Sequence, residues 1–157
     1  VGDIPYIPLH GGCFGYLSLL MDLSSRRVVG WEYQNSMTDA LVLSSLKKAI
    51  RERRPATGLI HHSDRGGQYA SRSYRDVLRR ASMLQSMSDA GNCYDNAFME
   101  SCFGTLKTEL ELTEYADSVE AVRELSTYLH YYNQDRRHSS LGYLTPAEFE
   151  SQTTVPI

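Results

Sequence analysis

"GLIHHSDRGGQY", residues 58 to 69, is the stretch whose reading decides the fold. Leu59 and Ile60 lead into a segment of strand length that reads as short and buried, covering residues 58 to 63. It ends on Asp64, and Gly66 and Gly67 then leave the backbone free to turn. A strand that stops on a carboxylate before a sharp turn is either an ordinary polar turn or a seat for a cation at the carboxyl end of a strand.

The flanks choose the fold class. Upstream, apolar Val42, Leu46, Ala49 and Ile50 recur at helical spacing between Thr38 and Arg53, and Pro55 stops the run. Downstream, Ser71 can cap a helix with Tyr74, Val77, Leu78 and Ala81 on its inner face, followed by a short strand over 83 to 87. Before all of this, residues 3 to 9, 14 to 23 and 26 to 34 read as three strands on short connections, an antiparallel meander.

After it come two helices. One covers about 94 to 110, with Met99, Phe103, Leu106 and Leu110 on one side. The other covers 118 to 132, with Val122, Leu125, Leu129 and Tyr132 inward and Asp117 with Glu120 resembling a capping box. Pro146 opens a last helical turn. A meander followed by alternating helices and strands implies an α/β fold, a mixed sheet flanked by helices.

At 157 residues one domain, 1–157, is expected. The chain opens at Val1 without methionine and a strand begins at once, as in a piece of a longer polypeptide. No apolar run has the length of a membrane span. Three cysteines, Cys13, Cys93 and Cys102, form no C-x-x-C pair, which argues against a disulfide framework or zinc knuckle and for a reducing cytoplasm. Cys93 and Cys102 read as core or surface residues rather than nucleophiles.

The net charge of −3 conceals an asymmetry: residues 26 to 80 carry 12 of the 16 Lys and Arg against 5 of the 19 acids. One basic and one acidic face are therefore expected. Lys47, Lys48, Arg51, Arg53 and Arg54 read as a solvated helix face, and Asp22 as a cap or ion pair at the turn before Arg26 and Arg27.

Three acids fall on separate elements: Asp3 on the first strand, Asp64 at the exit of the fourth, Glu100 on the third helix. Carboxylates so distributed suit a pair of hard divalent cations about 3.5–4 Å apart, the arrangement used for phosphoryl transfer. Asn96 and Lys107 share the face of Glu100 at helical spacing, a row that a phosphate backbone could cross. His61 and His62 alternate across a strand and cannot both face one ion; His62 shares a side with Asp64. Arg136, Arg137 and His138 follow the last long helix, where capping and DNA contact are equally open.

Four fragments then carry a resemblance: "MDLSSRRVVGW" (21–31), "LIHHSDRGGQY" (59–69), "GNCYDNAFMESCFGTLKTE" (91–109) and "YYNQDRRHSSLGYLTPAEF" (131–149). In this order, with 35 residues between Asp64 and Glu100, they resemble the retroviral-integrase-type DDE catalytic core of bacterial insertion-sequence transposases. The resemblance implies a ribonuclease H-like fold with a five-stranded mixed sheet, and metal-dependent cleavage and joining of DNA strands. It implies Asp3, Asp64 and Glu100 as metal-binding catalytic residues for two Mg²⁺ ions, with Mn²⁺ as substitute. His62, Arg65, Asn96, Lys107 and Arg137 become candidates for contact with double-stranded DNA, and a homo-oligomer becomes possible in the active complex. Full-length relatives add an upstream DNA-reading region. A ribonuclease H-type nuclease and a catalytically silent DNA-binding module are the rival readings. The family's first acid usually follows threonine; here it stands in "GDIPYI", where Pro5 cannot donate a ladder hydrogen bond.

Overall fold

The computed structural model describes residues 1–89, 92–111 and 113–153, apart from the side chains at positions 93, 95, 96, 98 and 111. The expected first strand is divided into β1 (Gly2–Asp3) and β2 (Tyr6–Leu9), both antiparallel to β3 (Cys13–Met21). The division does not shift the register. Asp3 pairs with Leu19 and Tyr6 with Tyr16, so the same alignment runs through the gap. Pro5 has no N–H to give, yet its carbonyl still accepts from the Leu17 amide at 3.1 Å. A slip of one residue would turn Asp3 to the other face; the in-register gap leaves it in place.

On the far side of β3 lies β4 (Val28–Gln34), which completes the expected meander with an irregularity between Leu20 and Met21. Then follow α1 (Asp39–Arg53), β5 (Ile60–Ser63), the single turn α2 (Gly67–Ala70), α3 (Arg72–Arg80) and β6 (Leu84–Met87), which pairs parallel with β5. α4 (Cys93–Glu111) and α5 (Ser118–Gln134) come next, then a 3₁₀ turn at Ser139–Leu141 and α6 (Pro146–Thr153).

Instead of the expected five-stranded sheet, the ladders form two sheets among the described residues: β4–β3–β1/β2 and β5–β6. β1 packs beside β5 without a ladder between them. The amides of odd-numbered residues around Pro5 face β3, so the Ile4 amide points away from it. That amide donates to the Asp3 carboxylate at 2.9 Å rather than to β5, and Pro5 next to it has none.

Alternation along β3 divides the core. Leu17, Leu19 and Met21 face Phe103, Leu106 and Leu110 of α4 and Ala121, Leu125 and Leu129 of α5. Leu20 faces Val42 and Leu46 of α1, Tyr69 of α2, and Tyr74 and Leu78 of α3. Two expectations need correcting. Val122 is 41 % exposed and Ala121 takes its place, because the buried stripe of α5 runs 121, 125, 129, 132. β5 is not buried throughout: Ile60 is 61 % exposed where β5 begins, opposite exposed Leu84, whereas His61 and Ser63 are buried.

Gly30 sets how closely α1 approaches the sheet. A Cβ there would lie 2.5 Å from the Ser45 carbonyl oxygen and 2.9 Å from the Ala49 Cβ. Gly30→Ala is expected to destabilise the fold by about 1–3 kcal/mol, since helix backbone must give way. Denaturant midpoints of the two proteins check this.

The caps largely follow the sequence. Ser71 accepts from the Tyr74 amide, and Asp117 accepts from the Glu120 amide at 2.8 Å. The reciprocal bond of Glu120 goes to the Ala116 amide. Thr145 and Glu148 form a complete reciprocal box at α6. Glu150 of α6 binds Arg27 at 2.8 Å and Arg53 at 2.6 Å, while Asp22 caps Ser24 and pairs with Arg53. Arg53 is thus a tie between α1, α6 and the β3–β4 turn, and Lys48 pairs with Glu32 at 2.8 Å. Both depart from the expected solvated face.

Candidate active site

The strand ends bring two of the three acids to one place. Asp3 leaves β1 half-buried, and Asp64 follows β5 directly and is exposed. Tyr69, 2 % exposed, rests against the backbone at Gly2 and Gly66 beside the two acids, and its hydroxyl has no hydrogen-bond partner among the described residues. Burial raises its pKa well above the ordinary value, and Tyr74, Asp3 and Asp64 add to the rise. Both carboxylates therefore lie within electrostatic reach of one buried hydroxyl.

Each acid is held locally. Asp64 accepts from the Gly66 amide at 2.7 Å, an Asx-type turn. A Cβ on Gly66 would sit 2.9 Å from that same carboxylate oxygen, which accounts for the glycine. On the other strand, a Cβ on Gly2 would lie 3.2 Å from the Tyr69 hydroxyl and 3.4 Å from His61 Nε2. The tyrosine and histidine thus rest against the backbone just before Asp3. His61 itself is buried, and its Nε2 is 2.8 Å from the Tyr74 hydroxyl. Burial, helped by the charge of the chain's amino terminus, lowers its pKa to about 4, so the ring is neutral.

The third acid does not join the other two. Glu100 lies exposed on α4, and among the described residues no three His, Cys, Asp or Glu side chains are gathered closely enough to hold a metal ion. What α4 does bring to the strand end is Lys107, whose ammonium lies 2.5 Å from the Asp3 carboxylate. The cation placed by sequence along a DNA path thus neutralises the first acid. By donor chemistry the residues suit Mg²⁺: three carboxylates on three elements, with Asp64 held by the amide of its own turn. For all three to share an ion, Lys107 must leave Asp3 and Glu100 must approach the strand ends.

Lys107→Gln is accordingly expected to tighten Mn²⁺ binding by roughly tenfold, because a positive charge next to a carboxylate in a half-exposed site opposes a second cation. Calorimetric titration of both proteins with Mn²⁺ measures it; equal affinities would remove Lys107 as a competitor.

The remaining candidates fare differently. Both ring nitrogens of His62 are engaged, Nδ1 with Ser86 at 2.9 Å and Nε2 with Ser88 at 3.1 Å, so it braces β5 against β6. Arg65 donates to the Ser88 carbonyl at 2.9 Å and pairs with Asp89. Asn96 lies on α4, its side chain outside the described residues, as is that of Cys93; Cys102 is buried. Arg137 donates to the Tyr143 carbonyl at 3.1 Å and lies beyond α5, lining a separate cavity. The sequence marks Gly2 only as part of the strand around Asp3 and Pro5 and does not single out Tyr69; the roles of both arise from packing between strands.

A meander on β3, a parallel pair beside it, and acids at the ends of β1 and β5 define an α/β protein of the ribonuclease H-like class. Two models of the integrase core domain match, over residues 1–93 and 81–146. The transposase for insertion sequence element IS904 of Lactococcus lactis subsp. lactis is 42 % identical over 152 residues, 96 % of this chain and 60 % of that protein. Among solved structures, the simian T-cell lymphotropic virus intasome superposes with a TM-score of 0.75 at 18 % identity, over 99 % of this chain and 55 % of that one. The magnesium-bound catalytic core of HTLV-2 integrase does so at 0.65 and 14 % identity, over 94 % and 92 %. The chain belongs to the integrase core domain family. It spans little more than half the length of the curated relatives it matches.

Proposed function

We propose that this chain is the catalytic core of an insertion-sequence transposase, cutting and joining DNA strands with Asp3, Asp64 and Glu100 as its acids. The observation that carries the reading is that β1 and β5, far apart in sequence, pack side by side with Asp3 ending one and Asp64 directly following the other. In-register pairing through the Pro5 gap supports the placement of Asp3 despite its proline neighbour.

Mg²⁺, the ion in the HTLV-2 integrase core, is the cofactor we assign, with Mn²⁺ as substitute. When bound, such ions activate an attacking oxygen and stabilise the leaving one. The chain's own contribution is placement. The Gly66 amide orients Asp64, β3 pairing orients Asp3, and the acid-free base of the site, His61 and the tyrosines, stays uncharged at neutral pH. Glu100 completes the set from α4, and Lys107, once off Asp3, is free to meet a phosphate of the DNA. Assembly of several copies on DNA follows the precedent of the viral intasome.

The test offers the protein a labelled duplex with a free 3′-hydroxyl end, an unlabelled target duplex and Mg²⁺. Joined strands longer than the labelled one are expected. An RNA–DNA hybrid cut in preference, with no joining, would replace this reading with the nuclease one.

A further inference from the structure

A second polar site lies beyond the acids, in a cavity of about 420 Å³ between α4, the end of α5 and the β3–β4 turn. Arg26, Arg136, Arg137, His138, Ser139 and Ser140 line it, and among the described residues no carboxylate does. Two of its donors are buried without a hydrogen-bond partner among the described residues: Arg26 Nη1 and His138 Nε2.

Neither donor can withdraw. A guanidinium keeps its protons, so a buried, unpaired Nη1 needs an acceptor. His138 Nδ1 faces Arg136 Nη1 at 3.4 Å and can only accept there. Burial and the Arg136 charge lower the pKa of His138, which keeps the ring neutral and puts its single hydrogen on Nε2. Arg136 is already committed, since Glu109 holds it at 2.8 and 2.9 Å from outside the cavity. Among the described residues no carboxylate on the cavity wall meets the positive charge of Arg26 and Arg137. Arg26 adopts a left-handed backbone, φ 59°, uncommon for a residue with a side chain.

From this geometry we infer that the cavity is a phosphate site that takes a backbone phosphodiester of DNA, with Arg26, Arg137 and His138 as its donors. The inference rests on the reading that the chain acts on DNA. A DNA phosphate is favoured over a free one by position: Ser101 and Thr105 form one wall, and Ser101 is the residue after Glu100 on α4. Glu100 and Ser101 lie about 100° apart round α4, so a strand that passes Glu100 and follows the helix surface by that angle reaches the Ser101 wall of the cavity. The sequence reading had placed Arg26 at a turn and left Arg137 and His138 undecided; only the fold makes them one site.

The test titrates the protein with a fluorescent 20-base-pair duplex at stepped salt, and follows the His138 ring by NMR with duplex and with inorganic phosphate. Arg26→Asn removes the guanidinium while keeping a residue that tolerates left-handed backbone. Arg137→Gln removes the second charge, and Arg123→Gln, on the exposed side of α5, controls for charge alone. Unfolding midpoints confirm that each variant is folded. The expected result is a three- to tenfold loss of duplex affinity for the two cavity variants but not the control. Each also loses about 0.9 from the slope of log K against log salt, as for one lost phosphate contact. Duplex shifts the His138 resonances, and phosphate at equal concentration does not. Wild-type binding with unchanged slopes in both cavity variants overturns the inference and leaves the DNA reading standing. A His138 shift with phosphate alone, with duplex affinity unchanged in the variants, makes it a free-phosphate site instead. A wild-type protein that neither binds nor joins DNA sinks the underlying reading itself.

Discussion

Asp64→Asn is expected to abolish DNA joining, by on the order of 10³-fold or more, while leaving the protein folded. The substitution separates charge from shape at this position. Asparagine keeps a carbonyl oxygen that can accept from the Gly66 amide, so the turn after β5 retains its hydrogen bond. What it loses is the negative charge on an exposed side chain, where stability typically changes by less than about 0.5 kcal/mol. Joining assays and unfolding midpoints on the same preparations check both halves. Joining at the wild-type rate by a folded variant would remove Asp64 from the chemistry. Loss of joining together with loss of folding would make the turn, rather than the charge, its contribution.

As pH falls from 6.5 towards 4, the protein is expected to lose up to about 3 kcal/mol of stability through His61 alone. The ring has an ordinary pKa of 6.5 when the chain is unfolded, and burial lowers it to about 4 in the fold. Between these values the unfolded chain takes up a proton that the folded one refuses. Stability is therefore complete above pH 6.5, declines through the window, and stops declining from this cause below pH 4. His138, also lowered by burial and then by Arg136, acts in the same direction just below 6.5. The carboxyls of Asp22, Glu32, Glu109 and Glu150 are held low by their hydrogen bonds and ion pairs, which outweigh burial. They release their contributions only at more acid pH, below their ordinary values of 3.8 to 4.5. Denaturant midpoints at stepped pH should trace this decline in the wild type and a flatter line in His61→Gln, which cannot take up the proton. Identical slopes would assign the acid sensitivity elsewhere. The neutral ring also bears on the site, because a charged His61 would place a further cation against the backbone just before Asp3.

Much of the fold was legible because it rests on local patterns. Alternating apolar residues along 14 to 21, the helical stripes of α1 and α4, and side chains such as Ser71 and Asp117 that can reach amides three residues on all act within a few residues of themselves. The acids were legible as types at a spacing. Asp64 followed by two glycines declares a turn, and that turn is present. Pro5 announced a broken ladder, and the ladder is broken.

What the sequence could not decide depended on partners distant along the chain. That Pro5 interrupts the strand without shifting it is settled by Leu17, and that Lys107 neutralises Asp3 by α4 packing near the end of β1 and against β2. Arg53 as a tie rather than a solvated charge depends on Glu150, 97 residues later. Arg26 and His138, unremarkable where they stand in the sequence, become orphaned donors lining one cavity. The physical reason is common to all four: an amide, ammonium or guanidinium has the same hydrogen-bonding demand in any fold, but which acceptor it meets, or that it meets none, is decided by the packing of elements far apart in the chain.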